Sequence, residues 1–126
     1  MLTPVKQLNY AIILCDDLET MKAFYRDLFP FPVVSESETG LTFRAGDVLL
    51  SLRKRTRYYD GNGVRPDLPG VQLAFLVSPP EVDLCYNQLV AKDVKILEPP
   101  TDQPRGHRTV YFADPEGNML EVYAEI

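Results

Sequence analysis

One histidine, His107, is all the imidazole this 126-residue chain contains, and it has no tryptophan. Any site built from several imidazoles of one chain is thereby excluded, including the His-x-x-x-His metal helix and the three-histidine zinc centre. Cysteine is scarce as well: Cys15 and Cys85 are too few for a disulfide framework, and both lie in apolar stretches where a reduced thiol serves as core filling. Positive charge is short. Lys and Arg number 13 against 18 Asp and Glu, for a net charge of −5, the wrong sign for a general nucleic-acid binder. No apolar run nears the ~20 residues that span a bilayer, so no membrane partner is expected. Residues 1–6 (MLTPVK) show no basic stretch leading into an apolar core, and the expected location is the cytoplasm.

What is present is the balance of one globular domain: 45% hydrophobic and 25% charged residues. Residues 8–15 (LNYAIILC) read as a strand. Asp16 then stands at a helix N-cap position with Glu19 three residues on, the capping-box spacing. Met21, Phe24, Tyr25 and Leu28 follow at i, i+3, i+4 and i+7, one apolar helix face, and Pro30 and Pro32 stop the helix. Short strands are predicted at 31–35, 40–45 and 47–53. The second half repeats this order. Residues 71–77 (VQLAFLV) form a strand, Ser78-Pro79-Pro80-Glu81 starts a helix, and Val82, Cys85, Tyr86 and Leu89 give its apolar face. A strand at 94–97 precedes a hairpin of 108–113 and 119–125, turned by Asp114-Pro115-Glu116-Gly117-Asn118. The helix faces superpose at an offset of 61 residues, Met21 on Val82 and Leu28 on Leu89. The chain thus reads as one domain with a duplicated βαβββ unit: module 1–55, a Gly- and Pro-dense linker 56–70, and module 71–126.

The segment Leu18-Glu19 through Ala23-Phe24-Tyr25-Arg26-Asp27-Leu28, and above all Tyr111-Phe112-Ala113-Asp114-Pro115-Glu116-Gly117-Asn118-Met119-Leu120-Glu121-Val122, carry a resemblance. The chain resembles the glyoxalase/bleomycin-resistance/dioxygenase superfamily, the vicinal oxygen chelate proteins, over essentially its whole length. The resemblance implies an α+β fold in which two βαβββ modules form a curved, mostly antiparallel eight-stranded sheet around a pocket. It also implies a homodimer, sometimes with modules exchanged between chains. Metal-dependent members carry a ligand on the first and last strand of each module. Those positions fall here on Tyr10, on Leu50 (or Ser51, if the register slips by one), on Gln72 and on Glu121. Only Glu121 is a good ligand, so no conventional metal site or other cofactor is expected, although a divalent ion held by a rebuilt set stays open.

Strand alternation supplies a second view of the same positions. With Glu121 facing the pocket, Met119 and Tyr123 face it too. The equivalent sets are Tyr10, Ile12 and Leu14, then Gln72, Ala74 and Leu76, then Val48, Leu50 and Leu52. An apolar cup with a few placed polar groups suits a small-molecule ligand. Glu121 is the candidate catalytic group, as a proton acceptor, with a purely structural carboxylate the other reading. The candidate ligand-binding residues are Tyr10, Leu50, Arg53, Gln72, His107, Glu121 and Tyr123. His107 is either a contact at the pocket mouth or a solvated loop residue. Arg53, in the cluster Arg53-Lys54-Arg55-x-Arg57, either meets an anionic or aromatic ligand or belongs to a solvated face. Two functions follow: a binding protein for a small organic molecule without a conventional metal, or a metal-dependent lyase, isomerase or dioxygenase with a rebuilt site around Glu121.

Overall fold

A computed structural model describes residues 1–61, 63 and 69–126. Met1–Val64 and Arg65–Ile126 form two compact units. The first unit runs β1 (Tyr10–Cys15), α1 (Leu18–Leu28), β2 (Val33–Ser37), β3 (Gly40–Ala45) and β4 (Val48–Lys54). The second runs β5 (Gln72–Leu76), α2 (Pro79–Ala91), β6 (Lys95–Gln103), β7 (His107–Ala113) and β8 (Met119–Glu125). Each unit holds a four-stranded mixed sheet, ordered β1-β4-β3-β2 in the first and β5-β8-β7-β6 in the second. The βαβββ order read from the sequence is therefore the order observed, and the fold class is α+β. Among the described residues no helix is long and apolar enough to cross a membrane.

In both units the helix follows the first strand and carries its apolar stripe onto one face of its own sheet. In the first, Leu18, Met21 and Tyr25 are buried with Ile13, Cys15, Leu41, Phe43, Leu50 and Leu52. In the second, Val82 and Leu89 are buried with Val110, Phe112, Leu120, Val122 and Ala124. The opposite face of each sheet is left open, and this asymmetry makes a site possible.

Local details correct the sequence reading in places. The N-cap of α1 is Asp17, not Asp16: the Thr20 N–H donates to Asp17 Oδ1 at 3.2 Å and the Thr20 hydroxyl to Oδ2 at 2.7 Å. Asp16 instead meets Arg55, with Nε 3.1 Å from Oδ1. Strand β2 begins at Val33 rather than at 31: Pro32 has no N–H to give the ladder, although its carbonyl accepts from the Arg44 N–H. Strand β6 continues to Gln103, well past 97, and includes Pro99 and Pro100. It is an edge strand, where a proline's missing donor need not face a neighbour, and its register shifts between Ile96 and Glu98 and between Glu98 and Thr101.

The linker predicted at 56–70 lies in part, at 62 and 64–68, outside the described residues. Its first residues are fastened to β4. Asp60 is buried and accepts from both Arg53 guanidinium nitrogens, at 2.9 and 2.8 Å, and from the Thr56 and Arg57 N–H groups, each at 2.9 Å. The Arg53 guanidinium and these backbone donors hold the Asp60 carboxyl well below the usual carboxylate range.

Candidate functional site

The second unit gathers a constellation of polar side chains on its open face. The parallel β5–β8 register sets Gln72 beside Met119, Ala74 beside Glu121 and Leu76 beside Tyr123. The antiparallel β7–β8 register adds Tyr111 opposite Glu121 and Thr109 opposite Tyr123. Side chains of directly paired residues share a face, so Gln72, Tyr111, Glu121 and Tyr123 lie on one side, while Val110, Phe112, Leu120 and Val122 pack under α2. The β7–β8 turn fixes this register. The Glu116 and Asn118 N–H groups donate to Asp114 Oδ1 at 2.9 and 3.0 Å, and the Asn118 amide donates to Oδ2 at 2.8 Å. Gly117 takes φ +84°, a left-handed conformation that suits glycine.

A cavity of about 440 Å³ opens on this face, lined by Gln72, Ala74, Arg105, His107, Tyr111, Glu121 and Tyr123. Glu121 is 6% exposed, and the Gln72 side-chain amide donates to its Oε1 at 3.1 Å. That bond orients the amide with its NH₂ toward the carboxylate. Arg105 comes from the β6–β7 turn and donates to the Tyr111 hydroxyl at 2.7 Å. The His107 ring lies 4.9 Å from that of Tyr123, tilted by 36°. The cavity therefore offers a carboxylate, an amide, a guanidinium, an imidazole and two phenols on a partly apolar floor.

Of the residues singled out from sequence, Gln72, His107, Glu121 and Tyr123 come together in this cavity. Tyr10, Leu50 and Arg53 belong to the first unit. Tyr10 is 48% exposed on its open face. Leu50 is not on that face: it stands beside Ala11 in the β1–β4 ladder and is 3% exposed beneath α1. The set Val48, Leu50 and Leu52 is off by one residue, the slip that puts Ser51 in place of Leu50, and such a slip transfers a whole strand to the other face. Leu49, Ser51 and Arg53 pair instead with Tyr10, Ile12 and Leu14, and the Ser51 hydroxyl is 2.9 Å from that of Thr42. Arg53 is clamped by Asp60, and its guanidinium is held charged by that carboxylate.

Two lining residues escaped the sequence reading. Tyr111 was within reach, since it alternates with Thr109 and His107 and pairs with Glu121 in the hairpin. Arg105 gives no sequence signal, because only the path of its turn brings it back over the sheet.

The donors can also be weighed against a resident metal. Among the described residues, Glu121 is the one carboxylate and His107 the one imidazole of the cavity lining, and no three His, Cys, Asp or Glu side chains converge. One carboxylate, one imidazole and an amide already facing the carboxylate fall short of the three strong ligands that catalytic zinc sites use. These donors do not fit a conventional centre.

A duplicated βαβββ unit with a covered and an open sheet face defines a glyoxalase-type protein. Residues 7–122 match the family profile, and the chain belongs to the Glyoxalase/Bleomycin resistance protein/Dioxygenase superfamily. It is similar to Metallothiol transferase FosB of Lysinibacillus sphaericus, at 29% identity covering 94% of this chain and 82% of that protein. Among solved structures, a glyoxalase/bleomycin resistance protein/dioxygenase from Nocardioides superposes with a TM-score of 0.84 at 25% identity, covering 97% of this chain and 85% of that one. Lactoylglutathione lyase from Agrobacterium tumefaciens shares the fold with a TM-score of 0.76 at 24% identity, covering 96% and 95%.

Proposed function

We propose that this chain binds a small organic molecule on the open face of its second unit, using its own polar side chains rather than a conventional metal centre. The supporting observation is the convergence of Gln72, Arg105, His107, Tyr111 and Glu121 on one cavity of about 440 Å³, a size typical of small-molecule sites. Arg105 and Tyr111 present hydrogen-bond donors to negative charge on the ligand, and Glu121 accepts a hydrogen bond or a proton from it. Ligand-induced rises in melting temperature across a metabolite set test this reading. A hit should lose roughly tenfold or more in affinity with Glu121→Gln or Arg105→Gln, as expected for losing one charge-assisted hydrogen bond. Hits unaffected by both substitutions would place binding elsewhere.

A second reading, a metal-dependent enzyme with a rebuilt site around Glu121, draws on the similarity to a metallothiol transferase. Metal analysis of freshly purified protein separates the two. A stoichiometric transition metal overturns the metal-free reading, and unchanged metal content and turnover in Glu121→Ala overturn the second. A homodimer is the proposed assembly. It is supported by the edge position of β1 and the exposure of Tyr10 and Ile12 on it, and light scattering tests it.

A further inference from the structure

The open face of the second unit has another lobe. A cavity of about 310 Å³, lined by Gln72, Leu97, Glu98, Tyr111 and Met119, adjoins the first and shares Gln72 and Tyr111 with it. The strand registers lay out the boundary. Glu98 pairs with Tyr111, Tyr111 with Glu121 and Glu121 with Ala74, one row running across all four strands. Tyr111 thus stands between two carboxylates. Glu98 reaches this wall through the shift in the β6 register after Ile96, which lets Leu97 and Glu98 both line the same lobe; re-aiming side chains is what such irregularities do. The Gln103 amide donates to Glu98 Oε1 at 2.8 Å and to the Thr109 hydroxyl at 2.9 Å, which fixes the carboxylate. Among the described residues no Lys or Arg forms an ion pair with Glu98. The lobe is therefore a half-buried, oriented carboxylate beside the apolar surface of Leu97 and Met119, next to a lobe whose cation is Arg105.

We propose that this second lobe is a subsite for a protonated amine, so that the ligand carries an ammonium group at Glu98, a short apolar stretch over Leu97 and Met119, and an anionic or polar end at Arg105. The proposal rests on the small-molecule reading of the first cavity and narrows it to amine-bearing, extended ligands. An alkylammonium supplies up to three donors to the carboxylate and a hydrocarbon chain to the floor.

The probes are linear ω-amino acids from 3-aminopropanoate to 8-aminooctanoate, each compared with the plain carboxylate, the dicarboxylate and the alkylamine of equal length. Binding is followed by amide chemical shifts of the intact protein. At one length the amino acid is expected to bind roughly tenfold more tightly than the matching carboxylate, the effect of one added charge-assisted contact, and to move the amides of Leu97, Glu98 and Met119. Glu98→Gln removes that gain and leaves carboxylate binding unchanged. Glu98→Lys reverses it, favouring the dicarboxylate over the amino acid, and well-dispersed amide spectra establish that both variants are folded. Carboxylates that bind without any gain from an amine, or a gain that survives Glu98→Gln, overturn this proposal and leave the first cavity's reading standing. If no probe shifts any lining residue, the amine subsite is overturned. If in addition no metabolite raises the melting temperature, the small-molecule reading falls with it.

Discussion

Gln72 and Glu121 meet across the parallel β5–β8 pair, two residues apart in register, with the amide nitrogen 3.1 Å from the carboxylate oxygen. Because Glu121 is buried, removing its donor leaves an acceptor with less solvation and one bond fewer. Gln72→Leu is expected to lower unfolding free energy by about 1–2 kcal/mol, measured by urea denaturation. In the double variant with Glu121→Leu, the cost should be smaller than the sum of the single costs. Strict additivity would mean that the contact contributes nothing.

The two faces of β4 can be told apart by truncation. Leu50→Ala removes a side chain buried beneath α1 and should cost about 2–4 kcal/mol. Ser51→Ala removes a half-buried hydroxyl paired with Thr42 and should cost under about 1 kcal/mol. Chemical denaturation of both variants decides the register, and equal costs would contradict it.

The Arg53–Asp60 clamp gives an acid-dependent stability. Its carboxyl is held below the ordinary value, so the folded state binds the proton more weakly than the unfolded chain. The resulting stabilisation is complete above the unfolded carboxyl pKa of about 4 and is lost as pH falls further. Asp60→Asn should melt at a lower temperature than the unmodified protein at pH 7, with the gap narrowing below about pH 4. Asp17, Glu36 and Asp83 are also held below their ordinary values by hydrogen bonds from Thr20, Lys22 and Arg108 respectively, so the whole protein should lose stability over the same acid range. A gap that stays constant down to pH 2 would show that the clamp does not titrate with the fold.

The β7–β8 turn should be as sensitive as a core position. Asp114→Ala leaves the Glu116 and Asn118 N–H groups without this acceptor in a buried turn, at an expected cost of about 2–3 kcal/mol. Asp114→Asn keeps one oxygen and should cost less. Thermal unfolding of the pair checks the order. Hydrogen exchange at Glu116 and Asn118 should quicken first in the alanine variant.

Much of this protein was legible in its sequence, because the signals concerned are local. Periods of two and 3.6 marked the strands and helices, Ser78-Pro79-Pro80-Glu81 marked the start of α2, and Asp114 through Asn118 marked the hairpin. The repeat of strand, helix and three strands followed from their order alone. Counting in twos along the last strand puts Glu121 and Tyr123 on one face, and the family resemblance implies Gln72 beside them.

Counting failed where pairing between strands sets the frame. The sequence leaves Leu50 and Ser51 as alternatives one residue apart, and hydrogen bonding between β1 and β4 decides between them by placing Ser51 beside Ile12. The clamp on Arg53 required a buried Asp60 seven residues on, a contact with no period. Arg105, Tyr111 and Glu98 reach the cavities through a turn, a cross-strand pairing and a register shift. The sequence by itself determined which elements form and which residues could be polar points in an apolar face, because propensity and alternation act over a few neighbours. Only the tertiary structure decided which of those points share a cavity, because register and turn path are set by hydrogen bonds and packing between segments far apart in the chain.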